Sequence, residues 1–127
     1  GPNGFKSANM IRQTVARHYH EELRGRVPWA RPPRYLEGAS YHLFPVVLDA
    51  GVGRDALQTH MLEMGVETGT HYKPLHWLSL YSVGPKGPTP HLDGIGKRIL
   101  TIPCHARMCR DLTERVIHAM ETFKPGS

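Results

Sequence analysis
Gly65-Val66-Glu67-Thr68-Gly69-Thr70-His71-Tyr72-Lys73-Pro74-Leu75-His76 is the stretch around which the rest of this chain is arranged. It follows an amphipathic run from Arg54 to Met64, and a glycine in that place supplies the left-handed stop a helix end favours. Val66 to Tyr72 then reads as a strand, closed by Lys73-Pro74 because proline has no N–H to give a ladder. Within six residues the stretch sets out an imidazole, a phenol, an ammonium and a second imidazole, on His71, Tyr72, Lys73 and His76. Several hydrogen-bond donors and one fixed positive charge suit a polyhydroxylated, negatively charged ligand. Strand alternation sends His71 and Lys73 to one face and Tyr72 to the other. His76 lies beyond the proline, from where it can return toward His71.

The elements on either side fall into a short list. Arg54 to Met64 is a helix burying Leu57, Met61 and Met64, with Leu62 beside them and Asp55 suited to the dipole of the first turn. Asp49 to Gly53 is a turn. Tyr41 to Leu48 is a strand with apolar residues on both faces, which predicts a central or doubly covered position. Pro45 is awkward there, and a bulge or an edge position would compensate for it. Val27 to Ser40 holds Pro28, Pro32 and Pro33 and reads as an extended connection, with Trp29 covering an edge of the core. Upstream of it, Ile11, Val15, Tyr19 and Leu23 line one face of a helix over residues 9–24, which Ser7 or Asn9 can cap and Gly25 can end.

Downstream, Leu75 to Tyr81 predicts a single helical turn, and Ser82 to Pro90 a loop dense in glycine and proline. His91 to Lys97 is a further weak turn. Arg98 to Pro103 is the third strand. Leu112, Val116, Met120 and Phe123 make the core stripe of a last helix, with Asp111 as cap and Glu114 completing a capping box. The order predicts one α+β domain over residues 7–125: a small, antiparallel-type sheet of about three strands with helices on one face. Gly1-Pro2 looks like what a protease leaves after removing a purification tag, so residues 1–6 are set apart from the fold.

The totals narrow the function. The 127 residues suit a single domain, and 13 glycines with 11 prolines predict many loops. No apolar run reaches the roughly 20 residues a membrane span needs, and no signal-peptide core opens the chain. The two cysteines, Cys104 and Cys109, are too sparse for a disulfide framework and predict free thiols in a reducing, cytoplasmic setting. The formal charge is +5, and 16 basic residues are scattered rather than gathered into a nucleic-acid arm. His18 and His20 stand about 200° apart on a helix and cannot share one ion without distortion. A metal site on His71 and His76, joined by His91 or His105, matches no standard zinc spacing. Cys104 and His105 are adjacent on an extended segment and point apart, so Cys104 reads as core filler rather than a nucleophile.

The twelve residues from Gly65 to His76 resemble the glycine-x-x-threonine-glycine-x-histidine-tyrosine-x-proline-leucine-histidine segment of the DegT/DnrJ/EryC1/StrS family. That family comprises pyridoxal-phosphate-dependent aminotransferases acting on nucleotide-linked keto sugars. The resemblance runs outward through Tyr41-His42-Leu43-Phe44, Arg54-Asp55-Ala56-Leu57, Arg98 to Pro103 and Asp111 to Met120, and covers about residues 11 to 123. Arg12 to Leu23 is similar to the helix that leads from the family's large domain into its small one. Cys104-His105-Ala106-Arg107 departs from the hydrophobic-aromatic-proline run usual after the late strand, and Asp93 only loosely represents the acidic residue before it.

What the resemblance implies is the small C-terminal domain of such an enzyme. The large domain, with the lysine and aspartate that hold the cofactor, is not represented: none of Lys6, Lys73, Lys86, Lys97 and Lys124 stands in a context like the family's cofactor lysine. The chain is therefore expected to have no catalytic or cofactor-binding residue of its own. Its partners would be the large pyridoxal-phosphate domain, a second subunit in the family's homodimer, and the nucleotide-linked keto sugar, with neither nucleic acid nor membrane. His71 and Tyr72 would face the substrate and Lys73 and His76 its rim, orienting it rather than reacting with it. The competing reading is a stand-alone, non-catalytic ligand-binding or regulatory module derived from the same domain.

Overall fold
The computed structural model describes residues 8–33, 43–70 and 96–125. In chain order they form α1 (Ala8–Arg26), β1 (Ala30–Arg31), β2 (Leu43–Leu48), α2 (Arg54–Glu63), β3 (Ile99–Pro103) and α3 (Arg110–Glu121). The strands make one antiparallel sheet in the order β1-β2-β3. This is the expected α+β class, but the strands are not quite those expected. β1 arises within the proline-rich connection, where Pro28 and Pro32 confine it to two residues. Of the strand expected from Val66 to Tyr72, the described residues contain a single bridge, Gly69 to Thr101. The turns expected between Leu75 and Ile95 lie outside the described residues.

β2 is central, as its two apolar faces require. Phe44, Val46 and Leu48 share one face, and Phe44 stands opposite Ile102 and Val46 opposite Leu100 on β3. Against this face pack Val15, Tyr19 and Leu23 of α1, Leu57 and Met61 of α2, and Val116, Ile117 and Met120 of α3. The three helices thus lie on one side, and Trp29 closes the margin of the core by an edge contact with Phe123.

Pro45 is accommodated without a bulge. Its partner on β3 is Thr101, whose N–H and C=O both turn the other way, to Gly69. The Pro45 nitrogen therefore faces the β1 side of the sheet. There Arg31 pairs with Val47, and the strand stops before any residue needs a donor from position 45.

The helix ends follow local chemistry. Gly65 has φ +84°, its N–H reaches the Leu62 carbonyl, and the Val66 N–H reaches back to the Met61 carbonyl at 2.8 Å. That pair of bonds is the Schellman arrangement expected of a glycine after a helix. α1 does not end at Gly25 but continues to Arg26, whose guanidinium is gripped by three glutamates. α3 begins at Arg110 rather than after Asp111, because the Cys109 carbonyl accepts both the Thr113 N–H and the Thr113 hydroxyl. Glu114 serves no capping box; it bonds His18 and Arg26 across the helix interface.

Candidate functional site
The segment from Val66 to Thr70 is tied down along its length. Val66 is buried in the core, Thr68 takes a 3.3 Å hydrogen bond from Gln58 of α2, and Gly69 exchanges two backbone bonds with Thr101 of β3, at 3.0 and 2.8 Å. This anchored run forms one side of a groove of about 600 Å³. Leu43 of β2, Thr101 and Pro103 of β3, and Leu112, Arg115 and Val116 of α3 complete its lining, with His105 and Met108 from the loop between β3 and α3. The lining is largely apolar, with polar groups at Glu67, Thr68, His105 and Arg115. An apolar concavity carrying a few convergent polar groups is what small-molecule sites and domain interfaces share.

The sequence-predicted site residues His71, Tyr72, Lys73 and His76 lie outside the described residues, as do His42 and His91. The groove lies at the described end of the chain that leads into them. Sequence reasoning missed Arg115, His105 and Thr101 as groove residues. It also placed Leu112 in the core, whereas Leu112 is 39% exposed and lines the groove. The buried stripe of α3 is Thr113, Val116, Ile117 and Met120. That spacing of three, four and seven was there to be read, but a threonine at its head hid it; its hydroxyl is satisfied 2.8 Å from the Cys109 carbonyl. Met64, also expected inside, is 38% exposed.

The Cys104 nucleophile and the His18–His20 pair find little support in the geometry, and the metal alternative on His71, His76 and His91 lies outside the described residues. Cys104 is buried, its thiol 3.5 Å from the Arg12 carbonyl, and burial pushes its pKa up to about 12 against the opposing pull of the Arg12 guanidinium. A thiol so held is a core side chain, not a nucleophile. His18 is engaged by Glu114 at 2.9 Å. His20 is buried against Phe44, and burial, helped by repulsion from Arg24, lowers its pKa to about 4. Among the described residues no cluster of three or more His, Cys, Asp or Glu could hold a metal, and no helix is long and apolar enough to cross a membrane.

Fold and groove together define a class, a small α+β domain with three helices packed on one face of an antiparallel sheet and an apolar groove beside β3. The sequence pattern of the DegT/DnrJ/EryC1/StrS aminotransferase family matches residues 3–121, and the chain belongs to that family. It is 32% identical over 124 residues to the erythromycin biosynthesis sensory transduction protein EryC1 of Saccharopolyspora erythraea, covering 94% of this chain and 32% of that protein. The aminotransferase TlmJ of Streptoalloteichus hindustanus superposes with a TM-score of 0.69 at 29% identity, over 91% of this chain and 31% of TlmJ. The PseC aminotransferase of Helicobacter pylori shares the fold, with a TM-score of 0.69 at 19% identity over 91% of this chain and 32% of PseC. The chain thus spans about a third of the length of the relatives it matches.

Pyridoxal phosphate belongs to the full-length enzymes of this family. The described groove does not fit it alone: a site for that cofactor needs a lysine amine, and the two described lysines, Lys97 and Lys124, are exposed and line no part of the groove.

Proposed function
We propose that this chain is the C-terminal small domain, over residues 7–125, of a pyridoxal-phosphate-dependent nucleotide-sugar aminotransferase of the cytoplasm. It closes the active site against the large cofactor domain within a homodimer. His71, Tyr72, Lys73 and His76 meet the nucleotide-linked keto sugar, orienting it and balancing its charge, while the large domain carries the reaction. The observation that carries this reading is the family match over residues 3–121 in a chain that spans only 32% of a family relative. The groove beside the anchored run 66–70 supports it, since an apolar concavity is lined by the run that leads in sequence into the segment assigned to the substrate.

The test is complementation. The chain is mixed with cofactor, alone and with a separately made large domain from the same source, and visible absorbance and amino transfer are followed. The expected result is no cofactor absorbance from the chain alone, turnover on mixing, and loss of that turnover with His71→Ala. Nucleotide-sugar binding by the chain alone with no turnover on mixing would favour the stand-alone module.

A further inference from the structure
Gly69 sits where the anchored run leaves the sheet, two residues before His71. Its backbone does not demand glycine, because among the described glycines only Gly51 and Gly65 have positive φ. What demands glycine is space. A Cβ at position 69 would lie 2.6 Å from the Thr101 hydroxyl oxygen, nearer than side-chain carbons approach. Thr101 is 3% exposed, so its side chain cannot swing into solvent, and a β-branched residue in a packed strand rotates with difficulty. The same two residues exchange both backbone bonds of the bridge. The threonine side chain fills the room left by the missing Cβ, and the strands close to bonding distance.

We infer that Gly69 and Thr101 form a steric lock that seats the run 66–70, one wall of the groove, against β3 immediately ahead in sequence of His71–His76, which makes both of them positioning residues. The inference rests on the reading that this segment meets the substrate. A methyl group at position 69 would force the run off β3 and carry the take-off of the next residues with it. Displacements near 1 Å can cost on the order of 100-fold in rate when the displaced group orients a substrate.

The test is a rescue series on the 127-residue chain: Gly69→Ala, Thr101→Ala, and Gly69→Ala combined with Thr101→Ala or with Thr101→Val. Amide exchange at positions 69 and 101 should quicken about 10-fold or more in Gly69→Ala, and the His71 imidazole resonance should move. Adding Thr101→Ala should return exchange to within about 3-fold of the parent, whereas adding Thr101→Val, which keeps a methyl in the hydroxyl's place, should not. In the mixture with the large domain, kcat/KM should fall about 10-fold or more and recover in the same double variant.

Unchanged exchange in Gly69→Ala, or a double variant with Thr101→Ala no better than the single, overturns the lock. If Gly69→Ala does not fold, a restored cooperative melt in that double variant supports the lock and its failure to fold overturns it. Should the rescue succeed while His71→Ala leaves turnover untouched, the lock stands as an anchor and the substrate reading falls. Should His71→Ala abolish turnover while Gly69→Ala changes neither exchange nor rate, the lock falls alone.

Discussion

Tyr19, in the middle of α1, donates its hydroxyl to the Pro103 carbonyl oxygen at 2.6 Å, joining the first helix to the end of the last strand across 84 residues of sequence. Its ring leans on Phe44 with centroids 4.9 Å apart. Burial, with a smaller contribution from Cys104, pushes the phenol pKa well above its ordinary value, which favours the protonated, donating form. Tyr19→Phe keeps the ring and strands the carbonyl, and should cost about 1–2 kcal/mol. Tyr19→Ala also opens a cavity and should cost about 3–5 kcal/mol. Urea unfolding measures both. Equal losses would mean that the hydrogen bond alone, not the ring, holds α1 to the strand, and a Tyr19→Phe loss near zero would mean the reverse.

A second tie of α1, this one to α3, makes stability depend on acid. Arg26 contacts Glu114 at 2.9 Å, Glu121 at 2.8 Å and Glu22 at 3.0 Å, while His18 bonds Glu114 at 2.9 Å and His118 approaches Glu121 at 3.4 Å. The Glu114 pKa is lowered from 4.5, first by the His18 hydrogen bond and then by Arg26; the Glu121 pKa is lowered chiefly by Arg26. Carboxylates with a depressed folded pKa stabilise the fold above their unfolded value, and that gain is lost as pH falls through the folded one. The loss should therefore begin below pH 4.5. These groups are partly exposed and screened, so Arg26→Met should cost only about 1 kcal/mol near neutrality, less in high salt. The urea midpoint of Arg26→Met should fall less steeply below pH 4.5 than that of the parent; parallel curves would show that the cluster does not set the acid limit.

The two thiols should differ sharply in reactivity. Cys109 is exposed at the start of α3, whereas Cys104 is 1% exposed with its pKa pushed up to about 12. Alkylation with iodoacetamide at mildly alkaline pH should modify Cys109 at least about 100-fold faster, and Cys104 only as fast as the protein unfolds. Mass spectrometry of the peptides decides it, and comparable rates would mean that the β3–α3 loop opens readily.

Much of this fold is legible in the sequence, and the rest is hidden for definite reasons. The spacing of Val15, Tyr19 and Leu23 marks α1, and Gly65 marks the end of α2, because a period and a left-handed glycine are local facts. β1 could not be seen, since two residues between prolines carry no period and exist only through pairing with Val47 and Leu48. The part played by Glu114 was misread because its partners His18 and Arg26 lie 96 and 88 residues away, where no local capping rule reaches. In the site, the run of polar groups from His71 onward stands out in the sequence. The groove does not, because it is assembled from β2, β3 and α3 as well as the run 66–70. Leu112 shows the consequence: its helical spacing to Val116 fits a core position, and only the packed fold puts it on the rim.

That rim supplies the last prediction. Leu43, 47% exposed, and Leu112, 39% exposed, both line the groove, and apolar side chains left open in one concavity mark a surface made for covering. If the groove is where the small domain meets the rest of the enzyme, a charge there should harm assembly more than folding. Leu112→Glu should leave unfolding free energy within about 0.5 kcal/mol, as expected where no core contact is lost. It should weaken association with the large domain by about 10-fold or more, because a desolvated carboxylate would replace an apolar anchor. Leu62→Glu is the control. Leu62 is more exposed, at 64%, but lies on α2 and does not line the groove, so its replacement should leave association unchanged. Sedimentation or calorimetric titration separates the two. Equal weakening would point to general apolar adhesion, and parent-like association of Leu112→Glu would place the docking face elsewhere.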